Sequence, residues 1–213
     1  MVIAIDGPSG VGKSTVSKRL AEDLGLAYLD TGATYRAATL AVLEAGADPS
    51  EEGAVLDAIA HRVIDYGADG ILLDGRCVVR DIRTEAVTDA VSAVSAHPAV
   101  RAEIVEIQRR WVNDRGGKAV VEGRDIGTVV FPRATVKVYL TASPAVRATR
   151  RASDREAAGK SLDEISDALA RRDRADATRQ ASPLRPADDA IIIDTGALTI
   201  DEVVRKIRAK VVG

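Results

Sequence analysis

The sequence predicts an α/β fold in which helices cover both faces of a central five-stranded parallel sheet. Three observations carry that expectation. Short apolar runs alternate with amphipathic helical patterns along the 213 residues, as in chains whose strands are joined by helical crossovers. The runs are nearly continuous rather than alternating, which suits strands buried on both faces. A glycine-rich turn then joins the first run directly to the first helical pattern.

The strands are expected at "VIAI" (2–5), "LAYL" (26–29), "AVV" (119–121), "VKVYL" (136–140) and "AIIID" (190–194). From Lys13, apolar residues recur at Val16, Leu20 and Leu24 and stop at Gly25, the pattern of a helix ended by glycine. Two segments interrupt the alternation. Over about 37–118 there is a hairpin-like "ILLDGRCVV", with Asp74-Gly75 suited to a tight turn. Helical patterns begin after it near Thr84 and Pro98. Over about 143–180, Ser143-Pro144 reads as a helix start, "AGKS" as a break, and Ser161 with Glu164 as a capping box. The organisation expected is one domain, with its core at about 1–36, 119–142 and 181–213, an insertion at about 37–118 and a helical flap at about 143–180.

The composition narrows the function. Lys+Arg 30 against Asp+Glu 32 leaves a formal net charge of −2, and aromatics are 3%. That balance argues against a general nucleic-acid binder or a base-stacking ATPase. One cysteine excludes an internal disulfide framework and suits a reducing compartment. "MVIAI" is too short for a secretion signal, and no apolar run approaches the roughly 20 residues of a membrane span. A cytoplasmic monomer without nucleic-acid or membrane partners is expected. Cys77 and Trp111 read as packing residues, and His61 and His97 as surface or cap histidines.

"GPSGVGKS" matches G-x-x-x-x-G-K-[ST] without a mismatch, between an apolar strand and an amphipathic helix. Glycines permit backbone angles that turn successive N–H groups toward one anion, and the helix N-terminus adds positive charge. Gly7, Pro8, Ser9, Gly10, Val11, Gly12, Lys13, Ser14 and Thr15 are therefore the candidate nucleotide-phosphate loop. Lys13 can reach the β- and γ-phosphates, and the Ser14 hydroxyl can ligate Mg²⁺.

Other residues stay open when read alone. "LDTGATYR" brings Thr31, Tyr35 and Arg36 to the carboxyl end of the second strand, where such sheets bind ligands. "EGRDIGTVVFP" does the same for Glu122, Arg124 and Asp125 at the third. Arg147, Arg150 and Arg151 fall at i, i+3 and i+4, and Arg172, Asp176 and Arg179 at i, i+4 and i+7. Each pattern also fits a solvated helix face. Beside a phosphate loop, guanidinium groups on a mobile flap would stabilise transferring phosphoryl charge and exclude water. A GTPase switch would need N-K-x-D, but the only asparagine, Asn113, is followed by Asp114.

Together, "IDGPSGVGKST", "LDTGATYR", "IRTEAVTDAVSAVSAHPAVR", "EGRDIGTVVFP", "RDRADATR" and "SPLRPADDAIIIDT" resemble the bacterial cytidylate kinases of the nucleoside-monophosphate kinase family. The resemblance implies a three-layer P-loop kinase fold with a monophosphate-binding insertion, a lid, and transfer of the ATP γ-phosphoryl to CMP or dCMP. It implies that Gly7 to Thr15 hold ATP phosphates and that Thr31, Tyr35 and Arg36 line the monophosphate site. Arg36 and Arg124 would then meet the CMP phosphate, and Ser92, Arg101 and Asp125 would read the cytosine edge. Asp176 would hold ribose hydroxyls, with Arg172 and Arg179 near ribose, base or phosphate. Lys13 and Arg124 would act on the transferring group, and Arg147, Arg150 and Arg151 would act from the lid, with Arg147 and Arg151 as its catalytic residues. A carboxylate beside an arginine complements the amino group, N3 and O2 of cytosine. Glu122 stands where family members mostly have Asp.

Overall fold

The computed structural model describes residues 1–67, 69–153, 159 and 161–211. In chain order the elements are β1 (Val2–Asp6), α1 (Lys13–Leu24), β2 (Ala27–Asp30), α2 (Thr31–Glu44), α3 (Glu52–Ile59), β3 (Ile64–Gly67), β4 (Gly70–Leu73) and β5 (Arg76–Cys77). There follow α4 (Glu85–Val94), α5 (Pro98–Asn113), β6 (Ala119–Gly123), β7 (Val136–Thr141), α6 (Pro144–Ala152), α7 (Leu162–Thr178), β8 (Ile191–Asp194) and α8 (Ile200–Val211). Two compact units result, one from Met1–Asp30 with Val112–Gly213 and one from Thr31–Trp111.

The first unit holds the expected five-stranded sheet, in the order β2-β6-β1-β7-β8, with every neighbouring pair parallel. All five apolar runs named from the sequence are its strands. β1 lies at the centre, with Ile3 opposite both Val120 of β6 and Val136 of β7. Its burial on both faces explains why its residues do not alternate in polarity. Val16, Leu20 and Ala21 of α1 join Ile3, Ile5 and Val120 in one core, which also takes in Val203, Val204 and Ile207 of α8. Gly25 caps α1 in the left-handed conformation at φ 61°. At the start of α6 the Ser143 hydroxyl accepts from the Val146 amide, and Ser161 with Glu164 forms the full capping box of α7. Ala158 and Lys160 of the "AGKS" break lie outside the described residues.

The second unit packs Ala37, Ala38, Ala41 and Val42 of α2 against Val91 and Val94 of α4, Val100 and Ile104 of α5, and Ile64, Ile71 and Leu73 of a small sheet. That sheet has three antiparallel strands, not the two of the expected hairpin, because β3 pairs with β4. β3 is only four residues long and includes Asp65 and Gly67, too little for a period to emerge. The Asp74-Gly75 turn is as expected, with φ of 52° and 78°. Cys77 corrects the packing expectation. It lies on the two-residue edge strand β5 and is exposed, whereas the chain after it turns Val78 into the core. Trp111 does pack, its ring centroid 5.5 Å from that of Tyr66. His61 is exposed, and a ring nitrogen of His97 lies 2.9 Å from the Pro49 carbonyl oxygen.

β8 shows the period of the sheet within two residues: Ile192 is 62% exposed and Ile193 6%. Ile193→Ala should lower the unfolding free energy by about 2–4 kcal/mol, and Ile192→Ala by less than about 1 kcal/mol, as read by urea denaturation.

Candidate active site

The first unit builds its site at the carboxyl end of β1. The sheet order changes direction here, since β6 and β2 lie on one side of β1 and β7 and β8 on the other. Open α/β sheets bind ligands at such points. The loop leaves β1 at Gly7, whose φ of 147° and close approach to β7 both demand glycine. A Cβ there would come within 2.3 Å of the Leu140 carbonyl oxygen. Gly10 and Gly12 are also left-handed, at φ 80° and 90°. The Lys13 ammonium donates to the carbonyls of Gly7 and Pro8, at 2.8 Å each, and so lies within the loop. Ser14 and Thr15 are exposed on the first turn of α1.

The turn after β6 is tied to β1. The Asp6 carboxylate accepts from the amides of Ile126 and Gly127, at 2.8 Å each. This fixes Arg124, which donates to the Gly7 carbonyl (2.9 Å), the Ser9 hydroxyl (2.6 Å) and Asp176 of α7 (2.9 Å). Asp176 also accepts from Arg179 at 3.4 Å, and Arg179 lies 3.8 Å from the Asp125 carboxylate. Arg172 lies near enough for its charge to act on both Lys13 and Asp176. From α6, Arg147 donates to the Ser9 carbonyl (3.2 Å) and to Asp173, which itself accepts from the Ser9 amide (3.3 Å). The buried Arg147 Nε has no acceptor among the described residues. Arg151 is half-buried on the same helix. Arg150 holds Thr195 (2.8 Å to its hydroxyl, 2.7 Å to its carbonyl), which joins α6 to the end of β8, and also donates to the Val11 carbonyl of the loop at 3.4 Å.

Glu122 is 3% exposed at the end of β6. Its carboxylate accepts from the Tyr28 hydroxyl and is hydrogen-bonded to the Ser14 side chain. Burial first, and then the Asp30 carboxylate, push Glu122 up from the usual range, while Lys13 pulls it back. Burial, with the Arg124 and Arg172 charges, pushes the Lys13 ammonium down. Such mutual shifts are common at functional sites.

In the second unit, Thr31, Tyr35 and Arg36 are buried on α2. Arg36 donates to the Ile82 carbonyl (3.0 Å) and the Thr88 hydroxyl (2.9 Å). Arg101, 3% exposed, stacks its guanidinium 5.0 Å from the centre of the Tyr35 ring and donates to the Ser95 carbonyl at 3.1 Å. Ser92 lies one turn before Ser95, half-buried. The structure thus gathers Lys13, Arg124, Asp125, Arg147, Arg172, Asp176 and Arg179 in the first unit. It gathers Tyr35 with Arg101 in the second.

Sequence reasoning missed three residues of this site: Asp6, Tyr28 and Asp173. Asp6 had a signal, being an acid that ends a strand otherwise wholly apolar.

A sequence model of the cytidylate kinase family matches residues 3–212. The chain belongs to the cytidylate kinase family. It is 54% identical to the cytidylate kinase of Corynebacterium efficiens, over 95% of this chain and 90% of that protein. It is 52% identical to that of Mycobacterium leprae, over 96% of this chain and 92% of the relative. Among solved structures, shikimate kinase from Bacteroides thetaiotaomicron covers 100% of this chain and 99% of its own, with a TM-score of 0.51 and 14% identity. That likeness concerns the fold alone, an α/β kinase fold around a parallel sheet. Among the described residues, no helix is long and apolar enough to cross a membrane.

Burial raises Asp6 from 3.8 to about 6 against the pull of its two amide donors. The folded protein therefore holds this proton more tightly than the unfolded chain does. The group's contribution to stability is present below about pH 4 and is lost as pH rises through about 6. Asp6→Asn does not titrate, so the stability difference between wild type and variant should move by about 2 kcal/mol in the variant's favour from pH 4 to 8. Urea denaturation across that range checks it.

Proposed function

We propose that this member of the cytidylate kinase family transfers the γ-phosphoryl of ATP to CMP or dCMP through the residues described above, with Mg²⁺ as the metal. The convergence of Lys13, Arg124 and Arg147 on the carbonyls of the Gly7–Ser9 loop supports phosphoryl transfer. The acceptor rests on one observation, the family match over residues 3–212.

Both substrates are polyanions, and their mutual repulsion is the main obstacle to in-line attack. Lys13, Arg124, Arg147 and Arg151 offset that charge and hold the reacting groups in line. The uncommitted Nε of Arg147 favours this role, since it is a buried donor with no protein acceptor among the described residues. An oxygen of the CMP phosphate is already anionic at neutral pH, so no side chain has to remove a proton. Gly7, Pro8, Ser9, Gly10, Val11, Gly12, Ser14 and Thr15 would hold the ATP phosphates. Thr31, Tyr35, Arg36 and Arg124 would bind the CMP phosphate, and Ser92, Arg101 and Asp125 the cytosine edge. Asp176, Arg172 and Arg179 would serve the ribose and its surroundings. In this reading 37–118 is the monophosphate-binding insertion and 143–180 the lid.

The residues around Ser14 fit a divalent metal. An exposed hydroxyl hydrogen-bonded to a buried carboxylate is a hard oxygen donor suited to Mg²⁺. No cluster of three acidic, histidine or cysteine side chains among the described residues competes with it. Mg²⁺ bound there supplies charge neutralisation at the β- and γ-phosphates. ATP and CMP as substrates support a cytoplasmic location.

A coupled ADP-release assay tests the reading, offering CMP, dCMP, UMP, AMP, GMP, dTMP and shikimate in turn. Rapid turnover is expected with CMP and dCMP, with little ADP when no acceptor is added. Arg101→Ala should raise the KM for CMP at least about 10-fold, through loss of charged hydrogen bonds, and leave ATP affinity unchanged. Lys13→Ala should abolish transfer in a chain that still folds. Another preferred acceptor would overturn the cytosine assignment.

A further inference from the structure

Tyr28 has no part in the chemistry described above, yet it stands at the centre of a polar group buried under the phosphate loop. The register explains how it gets there. On β2 and β6, Tyr28 lies opposite Val120 and Asp30 opposite Glu122. With a period of two, Tyr28, Asp30, Val120 and Glu122 all project from one face of the sheet, together with Ile3 and Ile5 of β1. That face is the one covered by α1, whose Val16 and Leu20 pack on Ile3, Ile5 and Val120. Ser14 and Lys18 belong to the same helix. The Lys18 ammonium lies 5.6 Å from the centre of the Tyr28 ring, close enough for a cation–π contact that steadies the phenol.

A buried carboxylate needs donors, and Glu122 finds one in the Tyr28 hydroxyl. It also needs to be held, because the neighbouring Asp30 carboxylate repels it. The Ser14 hydroxyl lies within hydrogen-bonding reach of both partners and can give its proton to one of them at a time. A serine hydroxyl has one proton and two lone pairs. When that proton goes to Glu122, the lone pairs are left for a hard cation on the exposed side. The orientation of Ser14 thus depends on where Glu122 is, and Glu122 is fixed through Tyr28.

We propose that Tyr28 is a positioning residue for the metal–nucleotide site, anchoring the Glu122 carboxylate so that it in turn orients the Ser14 hydroxyl. This rests on the reading above in which Ser14 serves the metal of the ATP complex. Tyr28→Phe keeps the ring and removes only the donor. In the full-length chain it should raise the Mg²⁺ concentration for half-maximal turnover about 10-fold, as loss of a group supporting a metal ligand commonly does. KM for CMP and the affinity for ATP without metal should stay as in wild type. The ratio of ATP affinities with and without Mg²⁺, measured by calorimetry within each variant, should fall by the same factor, whatever the variant's stability. Adding Tyr28→Phe to Glu122→Gln should bring no further loss, because the tyrosine acts only through the carboxylate.

An unchanged Mg²⁺ requirement in Tyr28→Phe overturns the proposal, as does an equal loss of ATP affinity with and without metal. Additive losses in the double variant also overturn it. Ser14→Ala separates the two layers. If it raises the Mg²⁺ requirement and Tyr28→Phe does not, only the role of Tyr28 fails. If Ser14→Ala leaves the requirement unchanged, the metal reading of Ser14 fails and the proposal with it.

Discussion

The site in the first unit depends on one constraint, the pairing of β1 on both edges. A strand hydrogen-bonded to β6 on one side and β7 on the other cannot shift or tilt. The loop that leaves it is equally fixed. Gly7 passes so close to the Leu140 carbonyl that no side chain fits, and Asp6 takes the two amides that set the course of the chain after β6. The loop and the Arg124 segment are therefore anchored by adjacent residues of one strand. Their spacing is set by sheet geometry, which varies far less than that of two independent loops.

Charge placement follows from that frame. Several guanidinium groups come near the loop, where together they would repel one another and Lys13. The carboxylates of α7 counter this: Asp176 takes Arg124 and Arg179, and Asp173 takes Arg147. The Arg124 and Arg147 contacts also link α7 to the phosphate loop, through Arg124 on Gly7 and Asp173 on the Ser9 amide. Partly buried pairs of this kind add little net stability, but they hold side chains in position before any substrate arrives.

Much of this was legible in the sequence, and the reasons differ by element. The five strands of the large sheet could be read because their apolar runs are continuous: burial on both faces explains this for β1 and β6, whereas β8 keeps its run although Ile192 faces solvent. The phosphate loop could be read because its backbone angles require glycine at set positions. β3 could not, since four residues with a partner only in β4 carry no period of their own. α3 was missed too, although Val55, Leu56 and Ile59 show its inner side in retrospect. Among site residues, Asp173 sat in "RDRADATR" beside residues that were singled out. Only the folded chain reveals that its carboxylate reaches Ser9 and Arg147. Tyr28 was hidden by its context, because a tyrosine in an apolar strand reads as packing, and its partner Glu122 lies 94 residues away.

The α6–α7 pair has a small apolar cluster of its own, formed by Ala148, Ile165 and Leu169. α6 also reaches the main core through Val146. Folding of the central sheet therefore asks little of these two helices beyond a few apolar positions. Their outward-facing residues are freer to vary across generations than Val16, Leu20 and Ala21 of α1, which are committed to packing on β1. A lineage could retune the affinity or pace of such an enzyme by exchanging charges on α6 and α7 while the sheet stayed as it is.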